Sequence, residues 1–202
     1  MHKLLFFSLP SRALFFAWAL ALPLLAACSS GGGNDAVDAA NAQNDSTIST
    51  ADVTAKQEAD AQFLVKATSN GLLAVELGKL VQVRASTPVV RAYGARLVQN
   101  RLELLAALRA LAGTKKLAVP PALGSDEQAA YHELSALKGA RLDKRAMALI
   151  VKIQKQDEDA FDKMSDKAYD GDIRGFAAKY LNPVQELLAG AKEVEDAIED
   201  LP

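Results

Sequence analysis

Cysteine and histidine are scarce in this chain of 202 residues, which contains one Cys and two His. A single cysteine excludes a disulfide framework within the chain and any cysteine-rich zinc or iron–sulfur site. His2 lies in a segment that is predicted below to be removed, so the mature chain would keep only His132. A catalytic triad or a multi-histidine metal site is therefore not expected within one chain, and no metal or cofactor is predicted.

An excess of positive charge is also lacking. The chain has 23 Lys and Arg residues against 25 Asp and Glu residues, and its isoelectric point is about 5.7. Nucleic acid is therefore not predicted as a partner, because domains that bind it carry a basic patch. The sequence also has no Gly-rich phosphate loop, no Gly-x-Ser-x-Gly elbow and no His-Glu-x-x-His motif. These absences predict a protein that is not an enzyme.

The N-terminus has the organisation of an export signal. Lys3 and Arg12 precede an apolar run at residues 13–25, and small residues follow it. A membrane-spanning anchor is the alternative, but the run is shorter than the roughly 20 apolar residues that cross a bilayer. Residues 1–27 are therefore predicted to be a signal peptide.

The end of this signal, Leu25-Ala26-Ala27-Cys28, resembles the lipobox of bacterial lipoproteins. The resemblance implies cleavage between Ala27 and Cys28 and lipid attachment to the sulfur of Cys28; the alternative is a free cysteine after an ordinary secretory signal. Several acyl chains on one residue hold a protein stably to a membrane. The same resemblance implies the outer membrane, because Ser29 and not an aspartate follows the cysteine.

The segment after the cysteine is predicted to be a disordered tether, so that residues 28–52 would link the anchor to the folded part. Ser29 to Asp52 contains three consecutive glycines, many small polar residues and no aromatic, Lys or Arg residue. As a flexible coil it would reach about 27 Å.

Residues 53–202 are predicted to form one helical domain, because apolar residues there repeat at steps of three and four. Four long helices are predicted. The first runs from near Thr54 to Ser86, and the second runs from Pro88 to Ala112 and ends at Gly113. The third runs from about Gly139 to the Asp170-Gly171-Asp172 stop, and the fourth begins after that stop and is kinked at Pro183. Residues 114–124 are predicted to be a loop, and Ser125 to open a short helix with a capping box. The predicted fold class is all-α, an antiparallel four-helix bundle with a short extra helix in the second-to-third connection.

Three segments of this domain resemble a known family: residues 60–63, 71–80 and 95–101, with sequences DAQF, GLLAVELGKL and ARLVQNR. The family consists of exported bacterial proteins that carry domain of unknown function 4142. The likeness covers roughly residues 59–197 and includes part of a Phe-Asp-x-x-Tyr motif at residues 142–146. It implies a ferritin-like bundle.

The same resemblance implies a polar set inside the bundle, with a glutamate on the first helix and a histidine on each of the other three. These positions fall on Ala74, Arg101, Gln154 and Leu187, so none of the implied ligands is present. The resemblance therefore implies the fold and leaves a metal-dependent activity without its ligands.

A polar cluster is nevertheless predicted inside the bundle, made of Glu76, Arg101, Gln154 and Asp157. Arg101 and Gln154 lie at inward-facing steps of their helices, where a charge needs a partner. Arg101 is predicted to pair with Glu76 or Asp157; the alternative is that its long side chain reaches solvent at the edge of the bundle.

Two classes of function follow from the sequence. The first is a non-catalytic envelope lipoprotein, attached to the membrane through Cys28, whose bundle binds an envelope protein, another copy of itself or a cell-wall component. The second is a divergent ferritin-like protein that binds metal or performs redox chemistry with carboxylates. The lost ligand positions favour the first class, and Glu-x-x-His, typical of di-metal bundles, does not occur in the chain.

Overall fold

The fold, seen in a computed structural model that describes residues 35–49 and 55–200, consists of helices joined by turns and loops, with no strand in those ranges. The six helices are α1 (Ala36–Ser49), α2 (Ala55–Arg84), α3 (Pro88–Lys115), α4 (Ser125–Ser135), α5 (Gly139–Lys167) and α6 (Gly171–Ala197). None of the helices in these ranges is long and apolar enough to cross a membrane. The predicted signal peptide, the cleavage position Ala27 and the lipid site Cys28 lie outside the described residues.

The four long helices pack in antiparallel pairs. α2 packs on α3 and α5 packs on α6, while α2 also contacts α5 and α3 contacts α6. Residues early in one helix meet residues late in a neighbouring helix: the ring of Phe63 of α2 contacts the ring of Phe161 of α5 edge-to-face, and the Tyr93 hydroxyl of α3 donates to the carbonyl of Leu187 of α6. The all-helical fold class predicted from the periodicity is confirmed.

α3 and α4 begin or end differently from the prediction. Gly113 lies inside α3, which continues to Lys115 and ends where Lys116 takes a left-handed conformation with φ 56°. The residue that precedes α4 is Gly124, and the Ser125 side chain does not cap the helix. The predicted capping box is therefore wrong, because the backbone N–H of Ser125 donates to Asp35 and the side chain of Gln128, three residues on, donates to the carbonyl of Leu123.

Part of the predicted tether is ordered. Residues 36–49, within the segment predicted to be disordered, form α1, which packs on α2. Asn44 makes two hydrogen bonds to the backbone of Ala118, donating to its carbonyl at 2.9 Å and accepting from its N–H at 2.7 Å. The prediction of disorder is wrong over these residues, because composition does not show which polar residues make tertiary contacts. Asn44 is buried and bonds to backbone groups of the loop between α3 and α4.

Two buried aspartates fix the turns at opposite ends of the bundle. Asp143 of α5 accepts hydrogen bonds from the backbone and hydroxyl groups of both Ser86 and Thr87, before α3. Asp60 of α2 accepts from the backbone N–H groups of Tyr169 and Asp170, before α6. Each carboxylate thus satisfies donors at a helix start that have no partner within the helix.

In both turns an arginine also donates hydrogen bonds to backbone carbonyls. Arg91 of α3 donates to the carbonyls of Ala85 and Ser86, and Arg174 of α6 donates to the carbonyl of Ala168. The same number of residues separates Asp60 from Asp143 and Arg91 from Arg174. The α2–α3 and α5–α6 hairpins are therefore built alike, and each closes the turn of the other.

Asp143 gives a pH-dependent prediction. Burial by itself raises the pKa of Asp143, but the hydrogen bonds from Thr87 and Ser86 outweigh burial and hold the pKa below its ordinary value of 3.8. Because the lower pKa belongs to the folded state, the carboxylate stabilises the fold fully above about pH 4 and loses that contribution as the pH falls through the folded-state pKa. Asp143→Asn is expected to lower the free energy of unfolding by about 1–3 kcal/mol near neutral pH.

Urea unfolding near neutral pH and at about pH 3 checks this expectation, since the gap between variant and wild type should narrow at the lower pH. Asp162→Asn, an exposed change on the same helix, is the matched control and should have little effect at either pH. An equal gap at both pH values would contradict the assigned role of the Asp143 carboxylate.

Candidate functional site

The centre of the bundle holds a polar layer between two apolar clusters. One cluster includes Leu97 and Ile150, and the other includes Leu104 and Phe161. Between them lie five buried polar side chains, each at most 5% exposed: Asn70, Tyr93, Arg101, Gln154 and Asp157. α2, α3 and α5 supply these side chains, and α6 supplies the carbonyl of Leu187. This interior polar layer is the candidate functional site.

An ion pair forms one half of the layer. Arg101 Nη1 lies 2.7 Å from Asp157 Oδ2, and both side chains are almost completely buried. The contact is short, yet its angles are not those of a hydrogen bond, so it is a charge contact; Arg101 Nε also has no hydrogen-bond partner. Asn70 Nδ2 donates to the other carboxylate oxygen at 2.7 Å. The carboxylate of Asp157 is thus engaged on both oxygens.

Gln154 links this pair to the second half of the layer. Its Oε1 accepts from Arg101 Nη2 at 2.9 Å, and its Nε2 donates to the Tyr93 hydroxyl in a short hydrogen bond. The Tyr93 hydroxyl then donates to the carbonyl of Leu187 at 3.0 Å. The layer is therefore a continuous network from α2 to α6. Within it, both the oxygen and the nitrogen of the Gln154 amide have hydrogen-bond partners.

Burial dominates the electrostatics of the layer. It raises the pKa of Asp157, against the opposing effects of Arg101 and Asn70. It also raises the pKa of Tyr93 to about 12, although the hydrogen bond from Gln154 and the charge of Arg101 act in the other direction. Tyr93 therefore carries its proton throughout the physiological pH range and acts as a hydrogen-bond donor.

The structure brings together three of the four residues in the predicted cluster, namely Arg101, Gln154 and Asp157, and excludes Glu76. Glu76 is partly exposed and pairs with Lys79 at 2.7 Å on the surface of α2. Its position is two residues past Ala74, which is about 200° around the helix from an inward-facing step. The alternative of a solvent-exposed Arg101 does not apply, because this side chain is 0% exposed.

Two members of the layer, Asn70 and Tyr93, were not assigned to the predicted cluster. Asn70 lies in register with the buried face of α2, and Tyr93 lies between Val90 and Leu97 on the buried face of α3. Both residues could therefore have been found, as Arg101 was, from their positions on the buried face of a helix. Which polar side chains of different helices meet depends on how far the helices are shifted along each other. The residue pattern of one helix does not contain this information.

The chemistry of the layer is that of charge neutralisation. A guanidinium has no lone pair to offer a cation, and its fixed positive charge disfavours a second cation beside it. The remaining positions implied by the resemblance, Ala74 and Leu187, are buried and apolar. Within residues 35–49 and 55–200, no group of three or more His, Cys, Asp or Glu side chains is placed to hold a metal ion.

Comparison with known proteins identifies a family. Residues 45–194 match the family described as Domain of unknown function (DUF4142). No curated protein and no solved structure shows significant similarity to the chain. The match includes the interior polar layer and the turn residues Asp60 and Asp143, but it begins inside α1. The chain therefore belongs to the DUF4142 family of domains of unknown function.

Proposed function

We propose that the mature chain is a bacterial envelope lipoprotein whose helical bundle is a non-catalytic binding or structural module. It would be held by lipid on Cys28, in the outer membrane, with the bundle in the periplasm. The observation that carries the non-catalytic part is the buried Arg101–Asp157 pair. This pair neutralises the one carboxylate of the layer with a cation that belongs to the chain, and so occupies the space between helices where a bundle protein would hold a metal or substrate.

We also propose that the four long helices make an antiparallel four-helix bundle of the ferritin-like kind. The support is the alternating direction of neighbouring helices and the polar layer to which all four contribute. The connection between α3 and α5 contains α4, which packs on α2 and so covers one side of the bundle. One long connection of this sort between two helical hairpins is typical of ferritin-like bundles.

The anchoring part of the proposal rests on the Leu25-Ala26-Ala27-Cys28 sequence after a short apolar run. The described helices supply no membrane-spanning segment. Removal of residues 1–27 also removes two basic residues and no acidic one, which leaves a mildly acidic chain. Attraction to anionic headgroups is therefore not the basis of membrane attachment here. The partner would be an envelope protein, a cell-wall component or a second copy of the chain.

Cys28→Ser is expected to move the protein from the membrane fraction to the soluble fraction, because it removes the only thiol that can carry lipid. Fractionation of cells that produce the full chain, followed by mass measurement of the mature N-terminus, checks this. Ser29→Ala is the matched control, since it changes the neighbouring hydroxyl and keeps the thiol. Unchanged membrane association of the Cys28→Ser protein would contradict the lipid anchor.

A further inference from the structure

The position of α1 bears on how the protein sits at a membrane. The N-terminus of α1 is fixed by Asp35, which accepts hydrogen bonds from the backbone N–H of Val37 and, in a short contact, from that of Ser125 at the start of α4. α4 is itself fixed to the middle of α2 by the hydrogen bond from Ser69 to Glu127 at 2.7 Å. Asp35 therefore lies beside the midpoint of the bundle, on its flank.

The rest of α1 is also held to the bundle. Ala40, Asn44 and Ile48 recur at steps of four and are each at most 8% exposed. Asn44 bonds twice to the backbone of Ala118, and Ile48 shares a cleft with Leu117 and Ile173 near the start of α6. One stripe of α1 is thus buried along the surface made by α2 and the α3–α4 connection, which is called here, together with α4, the α1/α4 flank (residues 36–49 and 125–135).

This docking shortens the link between the anchor and the folded domain. Only residues 29–34 lie between Cys28 and Asp35. Such a segment spans at most about 25 Å when fully extended and about 15 Å on average as a flexible coil. If α1 were not docked, residues 29–54 would form the link, with an average reach of about 28 Å ending at the start of α2.

The opposite side of the bundle is further from the point of attachment. Beyond its first turn, where Ile173 shares the cleft with Ile48, α6 packs on α3 and α5, whereas α1 packs on α2 and α4 packs on α2 and α5. Turning α6 towards the bilayer would require the short link to run around the bundle, whose helices are each about 10 Å across. The chain length outside the described residues therefore restricts which face approaches the lipid.

We propose that the α1/α4 flank is the membrane-facing surface of this protein, held beside the lipid headgroups by the short link from lipid-bearing Cys28 to the docked helix α1. This inference rests on the lipid anchor in the proposed function. The partner of this flank is a lipid bilayer. Exposed residues of the flank include Asp38, Asp45 and Asp126, so its approach depends on the length of the link and not on charge attraction.

Single-cysteine fluorescence quenching tests the orientation, because the lipidated chain has no other thiol to label. Exposed alanines provide matched sites: Ala42→Cys and Ala129→Cys on the flank, Ala178→Cys and Ala189→Cys on α6. Each full-chain variant is purified from membranes, labelled and reconstituted on phosphatidylcholine vesicles with spin-labelled headgroups. The flank probes are expected to be quenched at least about twofold more than the α6 probes, which lie further from the headgroups by a helix diameter or more.

Undocking α1 should abolish the contrast. Asn44→Ala combined with Ile48→Ala removes the buried contacts of α1 and lengthens the link, whereas Asn182→Ala, an exposed change on α6, is the control. Both proteins should stay on the vesicles, and only the control should keep the contrast. Equal quenching at all four labelled sites, in vesicle-bound protein with α1 intact, would overturn the proposed orientation but not the lipid anchor. Failure of the lipidated protein to bind vesicles would overturn the anchor and the orientation with it.

Discussion

Asp157→Ala is expected to lower the free energy of unfolding by about 3–5 kcal/mol, because it leaves the buried guanidinium of Arg101 without its carboxylate. Asn70 would lose its acceptor in the same variant. Urea unfolding monitored by circular dichroism measures the change. Asp159→Ala is the matched control on the same helix, because Asp159 is exposed and pairs with exposed Lys155, a kind of contact that contributes little.

The joint replacement Arg101→Met with Asp157→Leu should recover part of this loss, because it removes both charges but leaves Asn70 Nδ2 and Gln154 Oε1 without these partners. Burial of two charges has a desolvation cost that the pair only partly offsets, and Arg101 Nε already lacks a hydrogen-bond partner. A double-mutant cycle between Arg101→Ala and Asp157→Ala gives the coupling directly. Coupling below roughly 0.5 kcal/mol would contradict an attraction between these two side chains.

Gly94→Ala is expected to be the other strongly destabilising change, at about 1–3 kcal/mol. A β-carbon at Gly94 would come within 2.6 Å of Val81 Cγ2 and 2.7 Å of the Gly78 carbonyl oxygen on α2. The backbone at Gly78 moves only if α2 and α3 separate, so this cost should exceed the gain of about 1 kcal/mol in helix propensity.

Gly113→Ala is the matched control in the same helix. Nothing lies within 4 Å of a β-carbon at Gly113, which is exposed. The variant should therefore raise the free energy of unfolding by about 0.5–1 kcal/mol, opposite in sign to Gly94→Ala. Thermal unfolding of the two variants side by side measures both effects. A stabilised Gly94→Ala protein would contradict the close approach of α2 and α3.

The helical fold and the inward positions of Arg101 and Gln154 were predictable from the sequence, because periodicity reports which side of a helix is buried. The choice between Glu76 and Asp157 as the partner of Arg101 depended on angular position and on the offset between α3 and α5. Counting residues around α2 excludes Glu76, whereas the match of Asp157 to Arg101 appears only when the helices are packed.

Docking of α1 was not predictable in the same way. Its sequence is rich in small polar residues, and only Ala40, Asn44 and Ile48 mark its buried stripe. An asparagine that bonds to a distant loop has the same local signature as an asparagine in a disordered segment. The roles of Asp60 and Asp143 could not be predicted for a related reason, since each carboxylate accepts hydrogen bonds at the start of a helix that is distant in the sequence.

The polar layer connects these findings to function. A module that binds a partner at its surface needs a rigid interior, and a network drawn from all four long helices fixes their relative positions. The same network uses the carboxylate that a metal would require. We therefore propose that the interior of the protein is structural and that its function lies at the surface, where one flank faces the membrane.

Metal content of the purified full-length protein tests the central claim most directly. After dialysis, elemental analysis by mass spectrometry is expected to find iron, manganese and zinc well below one atom per chain, because Arg101 already neutralises Asp157. Stoichiometric metal that survives dialysis and is lost in Asp157→Asn would contradict the account, since it would place a metal centre in the layer that we assign to a charge-neutralised structural core.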